Sequence, residues 1–581
     1  MAVNRISMIV TFWKGVFVAD SKPEDHIALK RAGFEMHEPT LCQDPSRCKA
    51  CKTKIGRRFW SARLEDATRV RSHCTPTALK IMQNHLIMLE KSRAVSSNIE
   101  VPCPPGLEYL PYQKAGIAYA LQRKDTLVGD EAGLGKTIIS LGFINITKPK
   151  TVLVVAPATL AFNWKLEAEK WLMEPYTIFV PKLGSDEIPN VEKLLVITNY
   201  EKLVTRTKHT REETSDSKLC ESLKRVWDLA IFDEAHALKN PDAKRSQAVL
   251  GEFGLMRRTR RTLFLTGTPI ENYPKEIWPV AAAICPAKFG DWWAFAARYC
   301  GLHKEMHNGH STWVATGSSH LSELQQRLRA TFMVRRLKHD VLKELPPKRR
   351  QLVVLGDKEI DWSQHPEFRK WKNVYERQYE AALARLEAAK TNAEYKAAVR
   401  AMDAFVGIAF QEMSEFRHKT ALAKLPMCLS YIDELLSTNN DSLVIFAHHK
   451  DILGKITEHY GDNAVTLYGD TPIQDRGEIV RMFQGGARRI FIGGLKAAGA
   501  GITLTRASTV VFIEIDWNPA TLSQAEDRLC RIGQKKMVHV LHLVLNNTLD
   551  VNMSQRVIAK QATIDKALDH LPEQLRLQQV G

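Results

Sequence analysis

The stretch LVGDEAGLGKTIISLGFI, residues 127–144, runs from the end of an apolar strand through a glycine-containing turn into an apolar helical run. Backbone N–H groups of such a turn, at the start of a helix, wrap phosphate oxygens. On this reading Lys136 reaches the outer phosphates of a nucleotide and Thr137 its magnesium. The spelling is irregular. The common phosphate-loop pattern wants a glycine five residues before the glycine of Gly-Lys-Thr, and Asp130 stands there, with Gly129 one step early.

Short β-branched runs at TVLVVAP (151–157), LLVITNY (194–200), DLAIFDE (228–234) and RTLFLTGT (261–268) predict strands buried on both faces, the mark of a parallel sheet. The acids of DEAH, residues 233–236, close one of them. Paired carboxylates there suit a nucleoside triphosphatase, with Asp233 holding magnesium and Glu234 orienting and deprotonating the attacking water. Two acids after a strand are common. Beside a phosphate loop they gain a purpose, because ligands gather at the carboxyl ends of parallel strands. A second series, SLVIFAH (442–448), AVTLYGD (464–470), RIFIGGL (489–495), STVVFIEIDW (508–517) and VHVLHLV (538–544), predicts another such sheet. Between the two, residues 374–406 are rich in Ala, Glu, Lys and Arg, which predicts a long helix.

In QAEDRLCRIGQ, residues 524–534, Arg528 and Arg531 stand three apart, so on a helix they share a face and together meet phosphate charge that develops during transfer. With this element the chain resembles superfamily 2 ATPases of the Swi/Snf type, whose motor has two RecA-like lobes. The resemblance runs from residue 105 to 550 through YLPYQKAGIAYAL, GDEAGLGKT, VVAPATLAFNWKLEAEKW, VITNYEKL, DEAHALKNPDAKRSQA, LTGTPIEN, FMVRRLKHDVLKELPPK, LYGDTPIQDR, AAGAGITLTRASTVVFIEIDWNP and QAEDRLCRIGQ. The family writes its phosphate loop D-E-x-G-L-G-K-T, which Asp130, Gly133, Gly135, Lys136 and Thr137 match in place. The resemblance further implies an adenine contact for Gln113 and arginine fingers at Arg528 and Arg531. It also implies DNA contacts at Pro157, Ala158, Thr266, Gly267 and Thr503. The wording of QAEDR and AAGAGITLT is nearest to the HARP-type annealing helicases, and Cys530 stands where the family usually has histidine.

The 581 residues suggest about four structural units at roughly 150 residues each. Composition is ordinary for a soluble protein, 44% hydrophobic and 25% charged, with no apolar run near the ~20 residues a membrane span requires. No export signal is legible at the N-terminus, so an intracellular location (cytoplasm, nucleoid or nucleus) is expected. The formal charge of +17 favours a polyanionic partner. Cys42, Cys48 and Cys51 form C-x5-C-x2-C, which suits zinc with Cys74, His73 or His37 as fourth ligand; the alternative is free, redox-inert cysteines.

These readings combine into an α/β protein of two RecA-like parallel-sheet lobes. An N-terminal accessory domain covers 1–104, an ATP-binding lobe 105–345, a helical insertion 346–430, a second lobe 431–565 and a tail 566–581. The expected activity is DNA-dependent ATP hydrolysis with ATP and Mg2+. It drives movement along double-stranded DNA and remodels or reanneals branched DNA, as in DNA repair. A monomer without membrane attachment is expected. The alternatives are a strand-separating DNA or RNA helicase, and a nucleotide-gated DNA-binding regulatory module that hydrolyses little.

Overall fold

The structure, a computed structural model, describes residues 9–13, 16–20, 35–37, 59–62, 74–183, 186–204, 216–307, 310–342, 344–346, 348–355, 418–438, 440–495, 502–514, 516 and 519–545. The helix expected over 374–406 and the residues Cys42, Cys48, Cys51 and His73 lie outside them.

Near the N-terminus, β1 (Ile9–Trp13), β2 (Val16–Asp20), β3 (Glu35–His37) and β4 (Phe59–Ala62) form an antiparallel sheet in the order β1-β2-β4-β3. None of these short strands is among the expected ones. Helix α1 (Pro76–Arg93) follows; Thr75 caps it, accepting from Ala78 N at 3.4 Å, and proline takes the first position, where no N–H is needed.

The first large sheet is wholly parallel. Its strands are β5 (Asp125–Val128), β6 (Thr151–Val155), β7 (Thr177–Phe179), β8 (Leu194–Thr198), β9 (Trp227–Asp233), β10 (Thr259–Leu265) and, beyond a hairpin of β11 (His303–His307) and β12 (His310–Val314), β13 (Met333–Val334). Their order is β13-β5-β10-β9-β6-β8-β7. Side chains alternate between faces along a strand. Along β6, Leu153 and Val155 therefore enter one apolar core, while Val152 and Val154 enter the other. Helices α2 (Pro111–Leu121), α3 (Lys136–Thr147) and α4 (Ala161–Trp171) serve the second of these cores.

The second large sheet is also parallel, built from β14 (Lys348–Leu355), β15 (Leu443–Ala447), β16 (Ala464–Leu467), β17 (Ile490–Gly494), β18 (Thr509–Phe512) and β19 (Val538–Leu545) in the order β14-β19-β18-β15-β17-β16. Val444 and Phe446 face one core, and Leu443, Ile445 and Ala447 the other. The structure divides the chain differently from the expected boundaries. Strand β14 pairs with β19, and the helix over 418–438 buries Ala421, Leu425, Cys428 and Ile432 on the same sheet, so both ends of the 346–430 segment belong to the second lobe. The edge position of β14 explains the missed signal: most of KRRQLVVL is exposed, so it lacks the apolar run of a central strand.

Both sheets bring loops from distant parts of the chain to their carboxyl edges. In the first sheet these are the loop after β5, the DEAH turn after β9, the TGTP turn after β10 and the segment after β13.

Candidate active site

Residues 129–135 connect β5 to α3. Gly133 and Gly135 have left-handed backbones, φ +88° and +76°, which L side chains enter only under strain. A Cβ on Gly135 would lie 2.5 Å from Gln113 Nε2. Gln113 is buried; its Oε1 accepts from Leu110 N at 3.0 Å and its Nε2 donates to Leu134 O at 3.4 Å, which lays its amide along the loop. Lys136 folds back over the same loop, donating to the carbonyls of Asp130 at 3.0 Å and Glu131 at 3.4 Å. Burial lowers the pKa of its ammonium, and the charges of Glu234, Asp233 and Asp130 work in the opposite sense.

Asp130 sits differently from the expectation of a cofactor contact. Its carboxylate is fully buried against Arg336, whose N and Nε donate to Oδ1 at 2.9 and 3.0 Å and whose Nη2 pairs with Oδ2. Both oxygens are engaged by a guanidinium that itself needs an anion, so an acid replaces the usual glycine for a structural reason.

Strand β9 ends on the acid pair. Trp164 Nε1, from α4, donates to Asp233 Oδ2 at 2.8 Å, and Glu234 N donates to Oδ1 at 2.9 Å. Burial, with the charge of Glu234 alongside, raises the Asp233 pKa to about 6. Burial would raise Glu234 too, but the hydrogen bond and charge of His236, with Lys136 and Arg528, outweigh it and keep this carboxyl anionic. Glu234 has φ +50°, a strained conformation for a residue with a side chain. His236 Nδ1 lies 3.3 Å from Glu234 Oε2 and 3.2 Å from Thr266 Oγ1, and the Tyr200 hydroxyl donates to Asp233 O at 2.8 Å.

The second lobe supplies two arginines. Helix α5 (Pro519–Glu526) stops before them, so Arg528 and Arg531 lie on the following turn rather than on the expected helix face. After Glu526 the backbone tightens, Arg528 N donating to Ala525 O and Leu529 N to Glu526 O, both at 3.1 Å, while Leu504 N meets Arg528 O at 2.9 Å and Gln534 Nε2 donates to Leu529 O at 3.3 Å and Ala507 O at 2.8 Å, which pins the turn. Arg531 Nη1 donates to Ile502 O and Thr503 Oγ1, both at 3.2 Å, and its stem runs over the phosphate loop, where a Cβ on Gly133 would come within 3.1 Å of Arg531 Cγ. Its buried Nε has no hydrogen-bond partner among the described residues. Burial and the neighbouring Arg531 lower the Arg528 pKa to about 9, while Glu234 pulls it up. Two crowded cations, a glycine cradle, an ammonium on carbonyls and an acid pair fit a magnesium-bound triphosphate.

The SNF2-related domain family matches residues 112–402, half of the chain, and the helicase conserved C-terminal domain matches residues 426–533. The chain belongs to the SNF2-related family. It is 31% identical over 483 residues to the DNA annealing helicase and endonuclease ZRANB3 of Bos taurus, covering 81% of this chain and 41% of that protein. Identity is 32% over 456 residues to the SWI/SNF-related matrix-associated actin-dependent regulator of chromatin subfamily A-like protein 1 of Xenopus tropicalis, covering 77% of this chain and 43% of that protein. The homolog of the latter in Caenorhabditis elegans is 30% identical over 501 residues, 84% of this chain and 66% of that one. The chain therefore spans 41% and 43% of the length of the first two relatives.

Within this SNF2-related core the residues expected at DNA divide. Pro157 and Ala158 lie on the turn after β6, with Ala158 exposed. Thr266 is 1% exposed, its Oγ1 accepting from Thr268 N at 3.1 Å beside His236. Gly267 backs onto the phosphate loop, where its Cβ would come within 3.1 Å of Ala132 N, and Thr503 holds Arg531. These three pack against residues of the candidate nucleotide site: His236, the phosphate loop and Arg531. Sequence patterning assigned no role to Trp164, Tyr200, His236, Arg335, Arg336 or Lys338. For the basic residues of FMVRRLK a signal existed: charges placed directly after buried apolar residues must find buried partners.

Cys74 is half-buried and burial pushes its thiol pKa up. Among the described residues no group of three or more His, Cys, Asp and Glu could hold a metal ion, and no helix is long and apolar enough to cross a membrane.

Proposed function

We propose that this chain is an ATP-driven motor that moves along double-stranded DNA and uses the movement to remodel or reanneal branched DNA. One observation carries the proposal: Arg531 of the second lobe lies over Gly133 of the phosphate loop. Hydrolysis then depends on how the lobes meet, and each ATP is tied to a relative movement of the lobes.

The residues divide the work. Gly133, Gly135 and Lys136 bind the phosphates, Gln113 takes the adenine edge, and Thr137 and Asp233 hold magnesium, which when bound neutralises phosphate charge. Glu234, kept anionic by His236, Lys136 and Arg528, orients the attacking water and accepts its proton. Arg528 and Arg531 meet the charge on the transferred phosphoryl oxygens. Thr266 touches His236, which touches Glu234, so the TGTP turn bears directly on the general base.

The charge of +17 supports a grip on phosphate backbone, which is tolerant of sequence and weakened by salt. Pro157 and Ala158 are the contacts retained for it. The annealing helicase in the name of the bovine relative supports the reannealing reading. All groups of the site come from one chain, so a monomer suffices, and the setting is intracellular DNA maintenance. A structural zinc at Cys42, Cys48, Cys51 and Cys74 rests on spacing alone.

The test is ATP hydrolysis measured with duplex, forked and single-stranded DNA and with RNA. The strongest stimulation is expected from duplex or forked DNA. Stimulation by RNA but by no DNA would overturn the proposal, and stimulation confined to single strands would favour a strand-separating helicase.

A further inference from the structure

The chain leaves β13 through Arg335-Arg336-Leu337-Lys338, and three of these residues grip the loops of the first lobe. Arg335 Nη1 donates to Gly129 O at 2.6 Å and to Gly267 O at 3.1 Å. Arg336 holds Asp130. Lys338 N donates to Glu131 Oε2 at 2.7 Å. The phosphate loop and the TGTP turn are thereby fixed to one short segment.

The side chain of Lys338 points to the other lobe. Its Nζ donates to Asp527 Oδ1 at 2.7 Å and lies 3.8 Å from Glu131 Oε1. The Lys338 and Asp527 side chains are only 7% and 4% exposed, so this ion pair is not a screened surface contact. Asp527 immediately precedes Arg528. Its neighbour Glu526 is anchored within the second lobe by Lys348 at 2.7 Å and by Arg350 at 2.9 and 2.7 Å. The Lys338 stem also packs on the phosphate loop, where a Cβ on Gly133 would come within 3.4 Å of Lys338 Cε, at the same glycine that Arg531 covers. A continuous path, from the half-buried Glu131 to the buried Lys338 and Asp527, thus joins the phosphate loop to the arginine turn.

We propose that Lys338 is a positioning residue for hydrolysis, which sets the Arg528–Arg531 turn against the phosphate loop by bridging Glu131 and Asp527. The inference rests on the ATPase reading above and adds to it the part that registers one lobe on the other. The ammonium's partners are carboxylates, not the groups assigned to phosphate, magnesium or water. Its loss therefore misplaces the arginines in the transition state and leaves the nucleotide pocket of the first lobe intact.

The experiment compares wild type with Lys338→Met, Asp527→Asn, the double variant and Lys338→Arg in steady-state ATP hydrolysis at saturating duplex DNA. Lys338→Met is expected to lower kcat by about 10–100-fold, the scale of a misplacement near an ångström. The apparent KM for ATP should stay within about threefold, because the lost interaction acts on the transition state. The double variant should be slowed by far less than the product of the two single effects, since both break the Lys338–Asp527 pair, although Lys338 also meets Glu131 and Asp527 also lies 3.6 Å from Lys348 Nζ, and Lys338→Arg should restore most of kcat. Wild-type kcat in Lys338→Met, single effects that multiply in the double variant, or a rise in KM alone would each overturn the inference. Should Lys338→Met fail to fold, Asp527→Asn and Lys338→Arg decide by the same split. A wild-type chain without DNA-stimulated hydrolysis defeats the proposed function; a stimulated wild type with unaffected variants defeats this inference alone.

Discussion

Asp233 and Glu234 are adjacent buried acids driven in opposite directions by their surroundings. Glu234 has His236, Lys136 and Arg528 to favour its anion, whereas Asp233 is buried beside that anion, and the indole of Trp164 offsets only part of the cost. As pH falls through about 6, Asp233 takes up a proton, and a magnesium ion held there as proposed would lose that ligand's charge. The Trp164 hydrogen bond reports this event directly: in the nucleotide-free protein, indole fluorescence should titrate with a midpoint near 6, and the step should vanish in Trp164→Phe and Asp233→Asn. A midpoint near 4 in wild type would show an unperturbed carboxyl. Lys136, Asp233 and Glu234 were legible as candidates because phosphate loop and acid pair are each a few consecutive residues, and the structure brings them together. Trp164 was not, since its partner is 69 residues away and only the order of strands brings them together.

Elements acquire their roles from what they carry to the sheet edges. The loop after β5 is fixed from outside by the segment after β13, and the Asp130–Arg336 pair is a fully buried link between them. Asp130→Ala would leave a guanidinium buried without its anion, a loss of about 3–5 kcal/mol. Denaturant unfolding of the first lobe should show it, with partial recovery when Arg336→Leu is added; an unchanged midpoint would contradict the structural role given to Asp130. Central strands such as β6, β9 and β15 were legible because burial on both faces leaves an unbroken apolar run. Strand β14, exposed at an edge, and β13, two residues long, offer no such run. The arginine turn was read as a helix because a spacing of three fits a helix and a run of tight turns alike, and the contacts that pin the turn come from Leu504 and the more distant Ala507.

For the whole molecule, the division of one site between two lobes is the central fact. Lys136, Asp233 and Glu234 come from the first lobe, Arg528 and Arg531 from the second, and Lys338 spans the gap to Asp527. This arrangement favours a motor over a nucleotide-gated binding module, because its parts serve transition-state charge and not ATP binding alone. The most direct measurement is displacement of a triplex-forming strand from double-stranded DNA, with the Glu234→Gln chain as the control that binds ATP but turns over little. The account predicts ATP-dependent displacement by the wild-type chain and none by Glu234→Gln, without separation of the underlying duplex. Vigorous duplex-stimulated ATP hydrolysis with no triplex displacement, or equal displacement by Glu234→Gln, would contradict it.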